Sequence, residues 1–468
     1  MMRGYEDTVV AAATPAGGAL SVVRVSGKDA FAICDKIFRS ATGRKVSSQP
    51  GYTLMYGDII NETGEVVDDI LLSVFRSPKS YTGEDSVEIS CHGSGYIVSE
   101  IIRLLINAGA RAADAGEFTS RACLAGRIDL SQAEAVADII ASHDRATHKI
   151  ASTQMRGGYS SEFSELRSNL LRLSSLLELE LDFSEEDVTF ADRSELASLI
   201  DTAIIKISGL IFSFSLGNAI KKGTPVAIVG SPNAGKSTLL NALLKDDRAM
   251  VSDIPGTTRD IIEERINIDG VDFRFIDTAG IRQSDDILEQ MGIERTMKAA
   301  GEANIILYLF DISANISAND IITKISALSL QASEQKLFIV LNKCDKSPAQ
   351  NYAGLISDLE RSLSHPVATI SAKNGMGVRQ LQDSIRSAID TSQLYSGAAI
   401  VSNSRHYDAL IRSLEALTRA KEGLDQAIPS DLLSQDVRQA IYDLGTVTGE
   451  ITTNEIISEI FSKFCIGK

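Results

Sequence analysis

Cysteine is scarce and scattered in this chain of 468 residues: Cys34, Cys91, Cys123, Cys344 and Cys465 form no C-x-x-C pair and no metal-ligand spacing. That excludes a disulfide framework or a thiolate zinc centre as the organising device and fits reduced thiols in a cytosol. A membrane signature is missing too. The start, Met1-Met-Arg-Gly-Tyr-Glu-Asp7, has no apolar signal core, and no uninterrupted apolar run approaches spanning length. A soluble, cytoplasmic protein with no membrane role is expected. Basic charge is short: 46 Lys and Arg face 62 Asp and Glu, a net charge of −16. Nucleic acid cannot be held by bulk phosphate neutralisation, so any RNA must be met by a local patch or through a partner. No internal repeat or low-complexity tract is present, and the length implies about two to four domains.

What is present centres on residues 224–238. The apolar run Val226 to Val229 ends in Gly230-x-x-x-x-Gly235-Lys236-Ser237, the strand, glycine loop and helix start of a phosphate-binding P-loop. Gly230 and Gly235 let backbone N–H groups turn toward a triphosphate, Lys236 reaches its β and γ oxygens, and Ser237 offers a hydroxyl to Mg²⁺. Asn233, Ala234 and Thr238 complete the cradle. Three further apolar runs each end in a motif: Asp277-Thr278-Ala279-Gly280, Asn342-Lys343-Cys-Asp345 and Ser371-Ala372-Lys373. Asp277 suits the Mg²⁺ shell and Gly280 the γ-phosphate. Asp345 selects the base: a carboxylate accepts from guanine N1–H and N2–H, whereas adenine has an acceptor at N1 and no amine at C2. The nucleotide is therefore GTP. Four motifs at the carboxyl ends of parallel strands predict an open, doubly wound sheet with its ligand outside those ends.

Between the P-loop and Asp277 lies Ser252-Asp253-Ile254-Pro255-Gly256-Thr257-Thr258-Arg-Asp260, where a GTPase keeps its first switch. Thr258 is the second Mg²⁺ ligand expected there. Ras-like enzymes place a Gln after Asp-x-x-Gly to orient water and use an arginine finger. Here Ile281 takes the Gln position, so another group must act. Asp285, Asp286 and Glu289 follow, and a plain solvated acidic face is the competing reading for each.

The pattern along the chain predicts a multidomain protein. Residues 1–120 read as an α+β unit: strands Thr8 to Ala13 and Ser21 to Val25, a helix Lys28 to Phe38, a hairpin of Thr53 to Ile60 with Val66 to Phe75, a strand Ser86 to Cys91, and a helix Tyr96 to Asn107. Residues 121–216 are helical, with Leu166, Leu170, Leu173 and Leu177 on one stripe. Residues 217–384 form a Ras-like α/β P-loop G domain. Residues 385–468 are helical again, with Thr452 and Glu455 as a capping box for the last helix. The economical reading is one discontinuous all-α domain into which the G domain is inserted; two separate helical domains are the alternative. His92 and His143 have no metal or triad spacing around them and receive no role.

The chain closely resembles the MnmE (TrmE) family of tRNA-modification GTPases. The likeness is carried by Arg24-Val-Ser-Gly27, Tyr81-Thr-Gly-Glu-Asp85, Gly116-Glu-Phe118, Ser131-Gln-Ala-Glu-Ala135, Gly256-Thr-Thr-Arg-Asp260 and the terminal Phe464-Cys-Ile-Gly-Lys468. The resemblance implies a homodimer formed through an N-terminal folate-binding domain, working with an FAD-dependent partner, MnmG or GidA. Together these add an aminomethyl or carboxymethylaminomethyl group to C5 of the tRNA wobble uridine, the carbon coming from a tetrahydrofolate derivative, 5-formyl- or methylene-tetrahydrofolate. It implies K⁺ in place of the arginine finger, held by Asn233, Ser252, Ile254 and Thr257, with Glu289 positioning the hydrolytic water. In the folate site Arg24, Glu88, Arg127 and Lys468 match the family's ligand positions. Arg127 stands where some members have Lys, which keeps charge but not geometry. On its own strand pattern Glu88 suits plain exposure equally. Cys465 has two readings, a nucleophile toward uridine C6 and a thiol near the folate pocket. The rival function is a regulatory GTPase of the Era or Der kind, which shares the Gly-Thr-Thr-Arg-Asp switch but usually carries a basic RNA-binding module.

Overall fold

The computed structural model describes residues 7–15, 17–182, 193–245, 264–276, 300–314, 316–327, 335–389, 399–426, 428–451, 460–462, 464 and 467. The chain divides into two compact units: Met1–Ala137 with Gln154–Ile204 and Arg412–Lys468, and Asp138–Thr153 with Ile205–Ile411.

In the first unit, strands β1 (Val9–Ala12), β2 (Leu20–Ser26), β3 (Phe38–Ser40), β4 (Thr53–Ile60), β5 (Val66–Phe75), β6 (Ser86–His92) and β7 (Arg111–Ala112) form one sheet. Its order is β3-β4-β5-β6-β2-β1-β7, antiparallel except for the β1/β7 pair. The hairpin and the following strand lie where the alternation places them, because a two-residue period buries one side of each strand. Ile59, Ile70, Leu72, Val74, Val87 and Ile89 pack inward with helices α1 (Ala30–Ile37) and α2 (Gly95–Asn107). Leu54, Tyr56 and Leu71 stay exposed, and Tyr56 stands directly opposite Leu71.

Helices α3 (Glu117–Leu124), α4 (Leu130–Ala141), α5 (Arg145–Met155), α6 (Gly158–Asp182) and α7 (Arg193–Lys222) follow in the chain. The four-leucine stripe of α6 is fully buried, and α6 packs on a late helix, Ser430–Thr448, that buries Val437, Ile441 and Leu444. Each leucine so buried contributes about 1.5–3 kcal/mol. Near the C-terminus Phe461 and Phe464 join Leu130 and Ala133 in a small apolar cluster. Gly467, at φ +97°, lies so close to β1 that a Cβ would sit 1.9 Å from the Ala12 carbonyl oxygen. The capping residues Thr452 and Glu455 lie outside the described residues.

In the second unit, β8 (Thr224–Gly230), β9 (Glu264–Ile268), β10 (Val271–Phe275), β11 (Ile305–Asp311), β12 (Lys336–Asn342) and β13 (Val367–Thr369) make a sheet of order β13-β12-β11-β8-β10-β9, parallel except for β9/β10. Strands β8, β11 and β12 are apolar without alternation because both of their faces are covered by separate cores, one around Phe273, Leu307 and Val340, the other around Ile306, Ile339 and Leu341, whereas the edge pair β9/β10 alternates. The expected doubly wound sheet is present, with β8, β11 and β12 side by side. The multidomain layout of α+β, helical and P-loop parts therefore stands.

One helix, Arg193–Lys222, is long and apolar enough to cross a membrane by length and composition alone. Asp201 and Lys206 interrupt it, and Asp201 is ion-paired with Lys421. The four described cysteines, Cys34, Cys91, Cys123 and Cys344, are unbridged.

Candidate functional site

The P-loop runs from the end of β8 into α8 (Lys236–Leu244). Its shape is fixed by two positive φ angles, Asn233 at 61° and Gly235 at +100°. Only glycine serves at the second position, where a Cβ would lie 2.3 Å from the Asn342 amide nitrogen. Lys236 extends back along the loop, its Nζ donating to the carbonyls of Gly230 at 2.7 Å and Ser231 at 3.1 Å, and burial pushes its ammonium below the usual lysine range. Ser237 stands half-buried in the first turn of α8, and Asn233 and Thr238 are exposed.

Asn342, at the end of β12, is the brace of this site. Its Nδ2 donates to the Ala234 carbonyl at 2.7 Å, and its Oδ1 accepts from the Ala372 N–H at 3.0 Å. One buried amide thus joins the phosphate loop to the Ser371-Ala372-Lys373 loop, and satisfying both ends makes the join rigid. Asp345 is exposed nearby. Ser371 Oγ donates to its Oδ1 at 2.6 Å, and that bond, outweighing desolvation, holds the carboxyl below the usual carboxylate range. It is therefore an ionised acceptor at neutral pH, as reading guanine requires. Lys343, itself at φ 66°, pairs with Asp311 at 2.5 Å.

A second constellation lies on the sheet of the first unit. Arg24 on β2 and Glu88 on β6 are direct cross-strand partners. Arg24 Nε and Nη2 donate to Glu88 Oε1 at 2.9 and 2.8 Å. The guanidinium carbon lies 5.1 Å from the Tyr81 ring centre and 5.5 Å from that of Phe118. Nη1 is buried and donates to nothing among the described residues. Arg127 is exposed, and Gly83 of the Tyr81–Asp85 loop packs against its side chain. Glu88 is thus neither free nor merely solvated; it orients Arg24. Gly467 meets Ala12, whose strand partner is Val23, the residue before Arg24.

Spacing alone does not reveal Arg121. Its side chain is 1% exposed and is bonded to Asp7, Glu84 and Glu117 at 2.7, 3.0 and 2.8 Å. The signal available was Glu117 four residues before it on a helix with small and apolar neighbours. His92 likewise has a partner distant in sequence: its Nδ1–H and backbone N–H donate to Asp68 at 2.8 Å each, and the ring bond together with the Asp68 charge raises the imidazole pKa. Ser252, Asp253, Ile254, Pro255, Gly256, Thr257, Thr258, Asp277, Thr278, Ala279, Gly280, Glu289, Cys465 and Lys468 lie outside the described residues.

Comparison with known proteins covers nearly the whole chain. Residues 130–465 match the family described as MnmE helical domain, and residues 8–127 match GTP-binding protein TrmE N-terminus. The tRNA modification GTPase MnmE of Flavobacterium johnsoniae is 47% identical over 465 residues, 99% of each chain. That of Bacteroides fragilis is 49% identical over 467 residues, 99% of this chain and 100% of the other. A crystal structure of an Aquifex aeolicus Era variant with GDP and aluminium fluoride overlaps 41% of this chain and 66% of that one at 30% identity and a TM-score of 0.29, too partial a likeness to weigh in the assignment.

Proposed function

This chain belongs to the MnmE family of tRNA modification GTPases, and on that premise we propose how its two constellations divide the work. The G domain binds and hydrolyses GTP. The first unit holds a tetrahydrofolate derivative as the carbon source for modifying the wobble uridine of tRNA. The regulatory alternative of the Era or Der kind falls away, because the relatives match the chain along 99% of its length, well beyond the G domain.

The observation that carries the folate half is the buried Nη1 of Arg24, which has no acceptor among the described residues. A buried guanidinium nitrogen without an acceptor is costly, and a ligand oxygen or ring nitrogen supplies one. Arg24, Glu88, Arg127 and Lys468 would hold that ligand; the arrival of Gly467 beside Ala12 supports a C-terminal contribution. For GTP, the glycine cradle, Lys236 and the Ser371-held Asp345 fit triphosphate and guanine. Mg²⁺ would be held by Ser237 and Thr258 with Asp277 in its shell, and K⁺ by Asn233, Ser252, Ile254 and Thr257. When bound, both cations offset charge that develops on the phosphates without an arginine. Glu289 would orient the attacking water.

The exposed row of Leu54, Tyr56 and Leu71 supports dimerisation through the N-terminal sheet. An acidic chain is best served at tRNA by the FAD-dependent partner, MnmG or GidA, and the setting for tRNA work is the cytoplasm. Single-turnover GTP hydrolysis in KCl and in NaCl tests the catalytic half. Glu289→Ala should leave GTP affinity nearly unchanged and lower turnover in K⁺ by about a hundredfold or more. An unaltered rate removes Glu289 from the mechanism.

A further inference from the structure

Arg24 is not held by Glu88 alone. A single carboxylate oxygen accepting from Nε and Nη2 fixes one edge of the guanidinium, but the plane can still roll about that edge. The rings of Tyr81 and Phe118 close on the guanidinium and remove that freedom. Phe118 is fully buried in α3, so its position is set by packing. Tyr81 sits on a loop and needs other ties. Its hydroxyl meets Thr119 Oγ1 at 2.9 Å. The rest of the loop is tied to the sheet below: Ser26 Oγ lies 2.7 Å from Thr82 Oγ1 and 2.8 Å from Glu84 Oε2, and the buried Arg121 donates to Glu84 Oε1 at 3.0 Å.

We propose that Tyr81 is a positioning residue, its ring anchored through Thr119 and the Arg121–Glu84 ion pair, that sets the Arg24 guanidinium so that Nη1 is the nitrogen left for the folate. The inference rests on the folate reading above and adds to it the group that determines how Arg24 is presented. Tyr81 acts through Arg24, so its effect must vanish when the guanidinium is gone.

The test is calorimetric titration of 5-formyl-tetrahydrofolate into the full chain and into Tyr81→Leu, Tyr81→Phe, Arg24→Gln and the double variant Arg24→Gln with Tyr81→Leu. Tyr81→Leu should weaken binding by about 5- to 30-fold, the range of a desolvated cation–π contact. Tyr81→Phe, which keeps the ring and loses only the Thr119 bond, should cost about two- to fivefold. On the Arg24→Gln background the leucine change should add less than about twofold, since coupled residues are not additive. A purely structural role would lower the thermal midpoint and cost the same factor on both backgrounds, and either that result or an unaffected Tyr81→Leu overturns the proposal. If Tyr81→Leu fails to fold, Tyr81→Phe takes its place in the same cycle: a loss confined to the Arg24 background supports the proposal, and an equal loss on both backgrounds overturns it. Absence of binding to the unaltered, folded chain overturns the folate reading itself, a result separable from failure of the Tyr81 step.

Discussion

The corner proposed for guanine, around Asp345, and the corner proposed for folate, around Arg24, are assembled from different kinds of sequence. At the guanine corner Asp345 and Ser371 are 26 residues apart, and each belongs to a short run at the carboxyl end of a parallel strand. A strand end delivers all the residues of its loop to one place, so the chemistry appears as contiguous motifs. At the Arg24 corner the sheet is antiparallel, and alternation lets each strand contribute a single side chain to the face. Arg24 reaches Glu88 across 64 residues, and Arg121 reaches Asp7 across 114. Such a site leaves only isolated letters in the sequence, and its rigidity comes from ion pairs rather than from backbone.

The sharpest way to break this contrast is at Asp345, the proposed base selector. Asp345→Asn should reduce GTP affinity by on the order of a thousandfold, because the amide nitrogen faces guanine N2–H₂ with a donor. The same variant should gain xanthosine triphosphate, whose C2 carbonyl accepts from that nitrogen. Competition titration with both nucleotides measures the swap; retained GTP affinity would mean that the base is read elsewhere and that the contiguous motif is not the reader. Second in size is the hub beneath the other corner. Arg121→Met removes the cation from Glu84 while Arg111 still pairs with Asp7 and Glu117, and should destabilise the first unit by about 1–3 kcal/mol in urea unfolding. The half-exposed Lys343–Asp311 pair of the G domain makes the comparison: Lys343→Met should cost about 1 kcal/mol or less. Equal losses would show that ion pairs do not carry more of one corner than of the other.

This contrast also explains what was legible from sequence. The hairpin Thr53–Ile60 with Val66–Phe75, the stripe Leu166 to Leu177 and the P-loop strand were readable because a period or a motif runs through consecutive residues. The short strands Phe38–Ser40 and Arg111–Ala112 were not, since three and two residues hold no period. Asn342 is expected from its motif among the nucleotide ligands. Its bonds to Ala234 and Ala372, however, come from segments 108 and 30 residues away and give it a bracing role that no local pattern shows. Arg24 and Glu88 are singled out in the sequence only through family likeness, and the contacts of Tyr81, Phe118 and Arg121 come from the fold.

The smallest effect separates the corners by pH. Burial works to raise the Glu117 carboxyl, but the bonds from Arg111, the Asp114 N–H and Arg121 outweigh it and hold it below its ordinary 4.5. Asp7 is held below 3.8 in the same way, with Arg111 and Arg121 overcoming desolvation. A carboxylate depressed in the folded state stabilises fully above its unfolded value and loses that contribution as pH falls through the lower folded value. The thermal midpoint of the first unit should therefore fall by a few degrees between about pH 5 and about pH 3, and Glu117→Gln should flatten that slope while lowering stability at neutral pH. Asp345, exposed and held down chiefly by one hydroxyl, should give the second unit only a shallow slope of the same sign, which replacing Ser371 by alanine should flatten. A slope that persists in Glu117→Gln would move the acid sensitivity away from the ion-paired hub and remove the electrostatic half of the contrast.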